Sequence, residues 1–172
     1  IRCLEADALV AFASGVGVFV RTADCVPLLI ADPASGAALA VHAGWRGAVA
    51  DIVGQTLAVF LSATGASAAS LLAAIGPHIG PKAFEVGTEV AEAFQKATPE
   101  GSPPFLRARG ARYLADLGGL VRAQLLRAGL AEGHIDLLDH CTYEDAARFF
   151  SYRRDGGRTG RQLSGIVARE PR

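Results

Sequence analysis

An α+β fold of mixed sheets is what this 172-residue chain predicts, and three observations carry the prediction. Short apolar runs of strand length crowd the first quarter. Three longer stretches in the middle switch to helical spacing. Strand-like runs then return near the C-terminus. Adjacent hairpins at both ends argue against a strictly parallel α/β sheet.

The elements follow in order. Runs rich in Val, Leu, Ile and Ala predict strands at 8–13, 16–21, 26–31 and 37–42. "DPASG" between the last two places Pro33 and Gly36 in turn positions, so these two strands form a hairpin. Beyond Gly47, residues Val49, Ile52, Val53, Thr56, Leu57 and Phe60 line one face of a helix that ends before Gly65. "SLLAAIG" reads as a short buried strand, and "GPHIGPKAFEVG" as a structured loop. "TEVAEAFQKA" is a helix with Thr88 as its cap. After the loop "GSPPF", helical spacing returns over Tyr113–Arg127 and Gly129 stops it. "HIDLLD" is a strand, "CTYED" a turn, and "FFSYRRDGGRTGRQLSGIVARE" two strands joined by a Gly-rich turn. No repeat, linker or low-complexity tail interrupts the chain, which reads as a single domain over 1–172.

The chain is 51% hydrophobic and 20% charged, with zero net charge. That balance gives no electrostatic ground for a nucleic-acid or anionic-membrane partner. Apolar runs stay well short of the roughly 18 residues a spanning helix needs. Three cysteines, Cys3, Cys25 and Cys141, are too few and odd in number for a disulfide framework, which fits a reducing cytoplasm. No signal peptide is visible. The chain holds no Met and opens at "IRCLEADALV", so it is expected to lack an N-terminal segment.

In a hairpin turning at Asp32–Gly36, Cys25 faces His42 to within one residue of register. Directly opposed residues have Cβ atoms about 4.5–5.5 Å apart. A sulfur and an imidazole at that separation can share a metal or form a nucleophile–base pair. The plain alternative makes Cys25 a small core residue and His42 a satisfied polar group at a strand end. "GWRG" favours function: its glycines admit close backbone approach, a helix start attracts anions, and Arg46 can grip phosphate or carboxylate. A second cluster, "HCTYEDAARFFSYRRDGGRTGR", gathers Ser151, Arg153, Arg154, Arg158 and Arg161 as a clamp for an anionic or sugar-bearing ligand. Strand alternation lets at most half of these touch one ligand, and the bland reading is a solvated basic hairpin. His78 and His134 read as structural, and "GPHIGPKAFEVG" lacks phosphate-loop spacing.

Taken together, "EADALV", "TADCVPLLIAD", "VHAGWRG", "GPHIGPKAFEVG" and "FFSYRRDGGRTGR" resemble the multicopper polyphenol oxidase, or laccase-domain, family. Its members are also described as purine nucleoside phosphorylases and as peptidoglycan editing factors. The resemblance spans nearly the whole chain. It implies an α+β fold with sheets sandwiched between helical layers, and a zinc, with copper as the alternative, held by a Cys and two His. Cys25 and His42 match two of those ligands; the third belongs to a Gln-x-His segment upstream of "EADALV".

The resemblance implies an enzyme acting on purine nucleosides and phosphate, by phosphorolysis and with adenosine deamination as a further activity. Cys25, His42 and Arg46 would then do the chemistry. Arg46 with Arg153 or Arg154 would clamp phosphate, and Ser151 would hydrogen-bond the sugar or base. Two other readings stand beside it: a metal-independent Cys25–His42 hydrolase, and an accessory protein linked to peptidoglycan editing. A multicopper centre needs several imidazole-bound coppers, and four scattered histidines cannot supply them.

Overall fold

The computed structural model describes residues 6–171; Cys3 and Glu5, which opens the EADALV motif, lie outside the described residues. In chain order the elements are β1 (Ala8–Ala11), β2 (Gly17–Thr22), β3 (Val26–Ala31), β4 (Ala38–Ala43), α1 (Trp45–Val49), α2 (Ile52–Thr64), β5 (Leu72–Ile75), β6 (Glu85–Val86), α3 (Thr88–Ala97), β7 (Leu106–Arg109), β8 (Arg112–Ala115), α4 (Leu117–Arg127), β9 (Ile135–Leu137) and β10 (Gln162–Val167). The α+β class holds. A five-stranded sheet runs β1-β4-β3-β5-β9, a ribbon pairs β10 with β2, and a third sheet runs β6-β8-β7. Within the five-stranded sheet only β5 and β9 are parallel.

Period-2 alternation along β3 and β4 builds both faces of that sheet. Val26, Leu28, Ile30, Leu39, Val41 and Ala43 turn to one side and pack with Leu57 and Phe60 of α2 and Leu120 and Leu125 of α4. Ala38, Ala40 and Leu29 turn to the other, against Val18 and Val20 of β2 and Ile166 of β10. Helices therefore cover one face of that sheet and the β2–β10 ribbon the other. The small Ala38 and Ala40 let the ribbon approach closely. Among the described residues no helix is long and apolar enough to cross a membrane.

Several expectations change. The helix after Gly47 is two helices: α1 starts earlier, at Trp45, and the chain breaks at Asp51, which has a left-handed φ of 59°. Asp51 then caps α2 by accepting the Gly54 N–H. Thr88 is the first residue of α3, with Gly87 at the cap position and no side-chain cap bond. Tyr113–Ala115 belong to β8, not to a helix, and α4 begins after Asp116, whose carboxylate accepts the Gly119 N–H at 2.8 Å. Strand β7, unassigned from sequence, pairs with β8. Only the second half of the C-terminal stretch is a strand, and its partner is β2 rather than the Gly-rich segment before it.

Candidate functional site

The β3–β4 hairpin is shifted by two residues from a register that would set Cys25 directly opposite His42. Pro27 pairs with His42 and Val26 with Ala43. Extending the ladder by one residue puts Gly44, not His42, opposite Cys25. Cys25 and His42 are then diagonal neighbours on the ribbon face of the sheet. Gly44 is what lets them meet. A Cβ placed there would lie 3.2 Å from Cys25 Sγ and 3.8 Å from His42 Nε2, so both groups converge on a position that carries no side chain.

The Cys25 thiol stands beside His42 on one side. On the other its Nδ1 is 2.8 Å from Asp7 Oδ1, and its backbone N–H donates to the Asp7 carbonyl at 2.7 Å. The imidazole pKa rises from 6.5 to about 9. The neighbouring Cys25 thiol is the main cause, Asp7 adds to it, and burial opposes both. A carboxylate on Nδ1 fixes the ring so that Nε2 faces the sulfur, the arrangement found both in metal-binding histidines and in nucleophile–base pairs. The "EADALV" motif contained Asp7, but nothing in local sequence assigned it this role.

The pair opens into a cavity of about 520 Å³ whose wall includes Arg21, Asp24, Arg46, Phe84, Tyr152, Arg153 and Arg161. Three of the guanidinium groups lie over aromatic rings: Arg46 over Trp45 at 4.4 Å, Arg153 over Phe84 at 5.4 Å and Arg161 over Tyr152 at 5.9 Å. Flat cations stacked on rings suit a ligand with a planar part and an anionic part. Helix α1 has only five residues, so attraction for an anion comes from these arginines and not from a helix start. Arg153 is fixed further, with Nη1 donating to the Glu85 carbonyl at 2.7 Å.

Ser151 and Arg154 sit behind this wall. Ser151 is fully buried and donates to Asp24 Oδ2 at 3.0 Å. The Arg154 guanidinium donates to the carbonyls of Thr142 and Phe149 at 2.8 Å and of Tyr143 at 3.2 Å, and pairs with Asp155. Neither is among the residues that line the cavity. Arg158 is not among the lining residues either, whereas Arg161 is.

The remaining histidines stand apart from the pair. His78 is buried and bonds the Gly76 carbonyl through Nδ1; His134 bonds the Ala69 carbonyl. His140 lies beside Arg148 and Phe149. A larger cavity of about 950 Å³ lies beyond residues 78–80 and 116–118, lined by His78, Phe105, Leu126 and Cys141 among others. The Cys141 sulfur accepts the Gly80 N–H at 3.1 Å, and no imidazole bonds it. Among the described residues no set of three or more His, Cys, Asp or Glu gathers where it could hold a metal.

The fold is that of an α+β domain of mixed sheets in which a cysteine and a histidine face an arginine-lined cavity. The family model described as "Multi-copper polyphenol oxidoreductase laccase" matches residues 2–169, and the chain belongs to that family. It is 43% identical over 162 residues to a Bacteroides thetaiotaomicron protein named "Purine nucleoside phosphorylase", covering 94% of this chain and 60% of that one. To the Escherichia coli K12 protein named "Purine nucleoside phosphorylase YfiH" it is 42% identical, covering 94% and 63%. The crystal structure of YlmD from Geobacillus stearothermophilus superposes with a TM-score of 0.91 at 36% identity, over 96% of this chain and 62% of that one. The chain thus spans under two thirds of the length of these relatives.

Proposed function

We propose that this domain acts on purine nucleosides, cleaving the base from the sugar with phosphate as the acceptor. One observation carries the reading: Cys25 and His42 converge beneath Arg46 and Arg153, in a cavity that also offers Phe84 and Tyr152 to a planar base. The names of the similar proteins support it. Arg46 and Arg153 hold the phosphate by charge-assisted bonds, and the aromatic walls hold the purine. The His42 imidazole, set by Asp7, exchanges a proton with Cys25 or with the leaving purine.

Zinc, with copper as the alternative, belongs to the same proposal. A thiolate and an imidazole with a carboxylate behind it suit zinc, and Cys25 and His42 would be two of its ligands. The third would come from outside the described residues. When bound, the metal supplies a Lewis acid with an open coordination position. Of the chain's four histidines only His42 faces this cavity, so an imidazole-rich copper cluster does not fit it.

The Asp7–His42–Cys25 line favours one second reading, a metal-free Cys–His hydrolase. Elemental analysis of wild type, Cys25→Ala and His42→Ala, paired with adenosine and inosine turnover with and without phosphate, decides between them. About one zinc per chain, lost with phosphate-dependent base release in both variants, supports the proposal. Turnover that ignores chelators and dies with Cys25 supports the hydrolase. Ammonia release from adenosine tests deamination in the same samples. A cytoplasmic setting accompanies the proposal, since Cys25 and Cys141 are both free thiols.

A further inference from the structure

Asp24 precedes Cys25 and stands in a backbone conformation its side chain does not favour, with φ at 86°. Asp51 is the other non-glycine residue at positive φ among the described residues, and there the conformation serves a local helix cap. Asp24 has no such local use. It is 8% exposed, and its carboxylate pairs with no cation among the described residues. Oδ1 accepts the Thr142 hydroxyl at 2.7 Å. Oδ2 accepts the Ser151 hydroxyl at 3.0 Å and the Arg153 N–H at 2.7 Å. Its carbonyl accepts the Ile79 N–H at 2.9 Å.

Packing alone explains neither feature. A turn at positive φ is most easily filled by glycine, and a buried carboxylate without a cation costs more than a neutral residue of the same shape. Strain of this kind is kept where the surroundings hold one functional geometry. The three segments Asp24 gathers are remote in sequence, and each supplies or backs a wall of the Cys25 cavity: Ile79 from one, Thr142 from another, Arg153 from the third. A carboxylate has no proton to give, so all its partners must donate. This orients the Thr142 and Ser151 hydroxyls and leaves the Ser151 oxygen to accept the Arg154 N–H at 3.1 Å.

We propose that Asp24 is the positioning residue of this site, tying the Thr142 and Ser151–Arg153 segments to the turn that presents Cys25, so that the sulfur and Arg153 keep one mutual arrangement. This rests on reading Cys25 and His42 as the reacting pair.

The test compares wild type, Asp24→Asn, Asp24→Gly and Thr142→Val, with thiol labelling read after chelator treatment and turnover read on the untreated proteins. Iodoacetamide labelling at one fixed pH is read peptide by peptide, so that Cys25 is separated from Cys141 and Cys3. Asparagine tolerates positive φ, its oxygen can take Ser151 and Arg153, and the Thr142 hydroxyl can turn to accept its amide. Asp24→Asn should therefore keep Cys25 labelling and kcat within about threefold of wild type. Asp24→Gly relieves the strain but frees all three tethers. It should label Cys25 at least about fivefold faster and lower kcat at least about tenfold, with KM changing less, while the melting temperature stays near that of wild type. Thr142→Val, which cuts one tether from the far side, should fall between and decides the matter if Asp24→Gly does not fold. Cys25 labelling within twofold of wild type in both Asp24→Gly and Thr142→Val, or equal acceleration in Asp24→Asn and Asp24→Gly, overturns the proposal. Absence of nucleoside turnover in wild type would sink the proposed function instead, and the labelling would still decide the role of Asp24.

Discussion

Asp7 Oδ1 lies 2.8 Å from His42 Nδ1, and the other edge of the same ring meets Cys25. One imidazole is therefore held between a carboxylate and a thiol. Removing the carboxylate frees the ring to rotate and lets the other tautomer compete. Asp7→Ala should lower zinc affinity or turnover about 10–100-fold, the usual cost of losing a partner behind a ligand histidine. Asp7 is largely exposed and His42 half-buried, so stability should change little. Zinc competition against a chromophoric chelator and a steady-state assay check this; unchanged values would mean that something else orients His42.

Gly44 has φ −75° and ψ 169°, a backbone open to any residue, so Gly44→Ala introduces no strain in the chain itself. The new methyl would press on Cys25 at 3.2 Å and stand near His42 Nε2. Turnover should fall by about 100-fold, as for a misplacement of about 1 Å, with the melting temperature nearly unchanged. A matching loss of stability and activity would instead assign Gly44 to the fold alone.

Adjacent arginines should separate cleanly. Arg153→Ala removes a cavity-wall cation and should raise KM for phosphate with a small effect on stability. Arg154→Ala removes the donors to the Thr142, Tyr143 and Phe149 carbonyls and should cost about 1.5–3 kcal/mol of stability. Denaturant midpoints alongside phosphate titrations read the two effects separately. Equal phosphate KM changes in both variants would return Arg154 to the ligand.

Asp32 organises the hairpin turn. Its carboxylate accepts the Ser35 hydroxyl at 2.5 Å and the N–H groups of Ala34 and Ser35 at 3.1 and 3.2 Å. Burial pushes its pKa up, but these bonds, the Ser35 hydroxyl foremost, outweigh it and hold the group below 3.8. The linked stabilisation is fully present above the unfolded-state value, near 3.8, and is lost as pH falls through the lower folded value. The stability gap between wild type and Asp32→Asn should thus be constant from neutral pH down to about 4.5 and shrink below it. Urea unfolding as a function of pH measures this, and a gap that widens toward acid would contradict it.

The alternation of β3 and β4, the turn between them and the helical spacing of α2 and α3 are local, and the sequence by itself determined them. It also determined that Cys25 and His42 lie on neighbouring strands of one hairpin near the same end, but not the register, which sets them two residues apart across the ladder. What spacing could not settle was the final slip that puts Gly44 between them, which depends on how the turn closes on Asp32. Tyr113–Ala115 look helical because their apolar positions run on in phase with α4; pairing with β7 and β6 makes them a strand. The assignment of β10 to β2 and the choice of Arg153 over Arg154 for the cavity also came only from the tertiary structure. So did the placement of Asp7 and Asp24. Each depends on contacts between distant segments, whose geometry is fixed by burying both faces of the sheet and by finding donors for buried acceptors, and no local pattern carries that information.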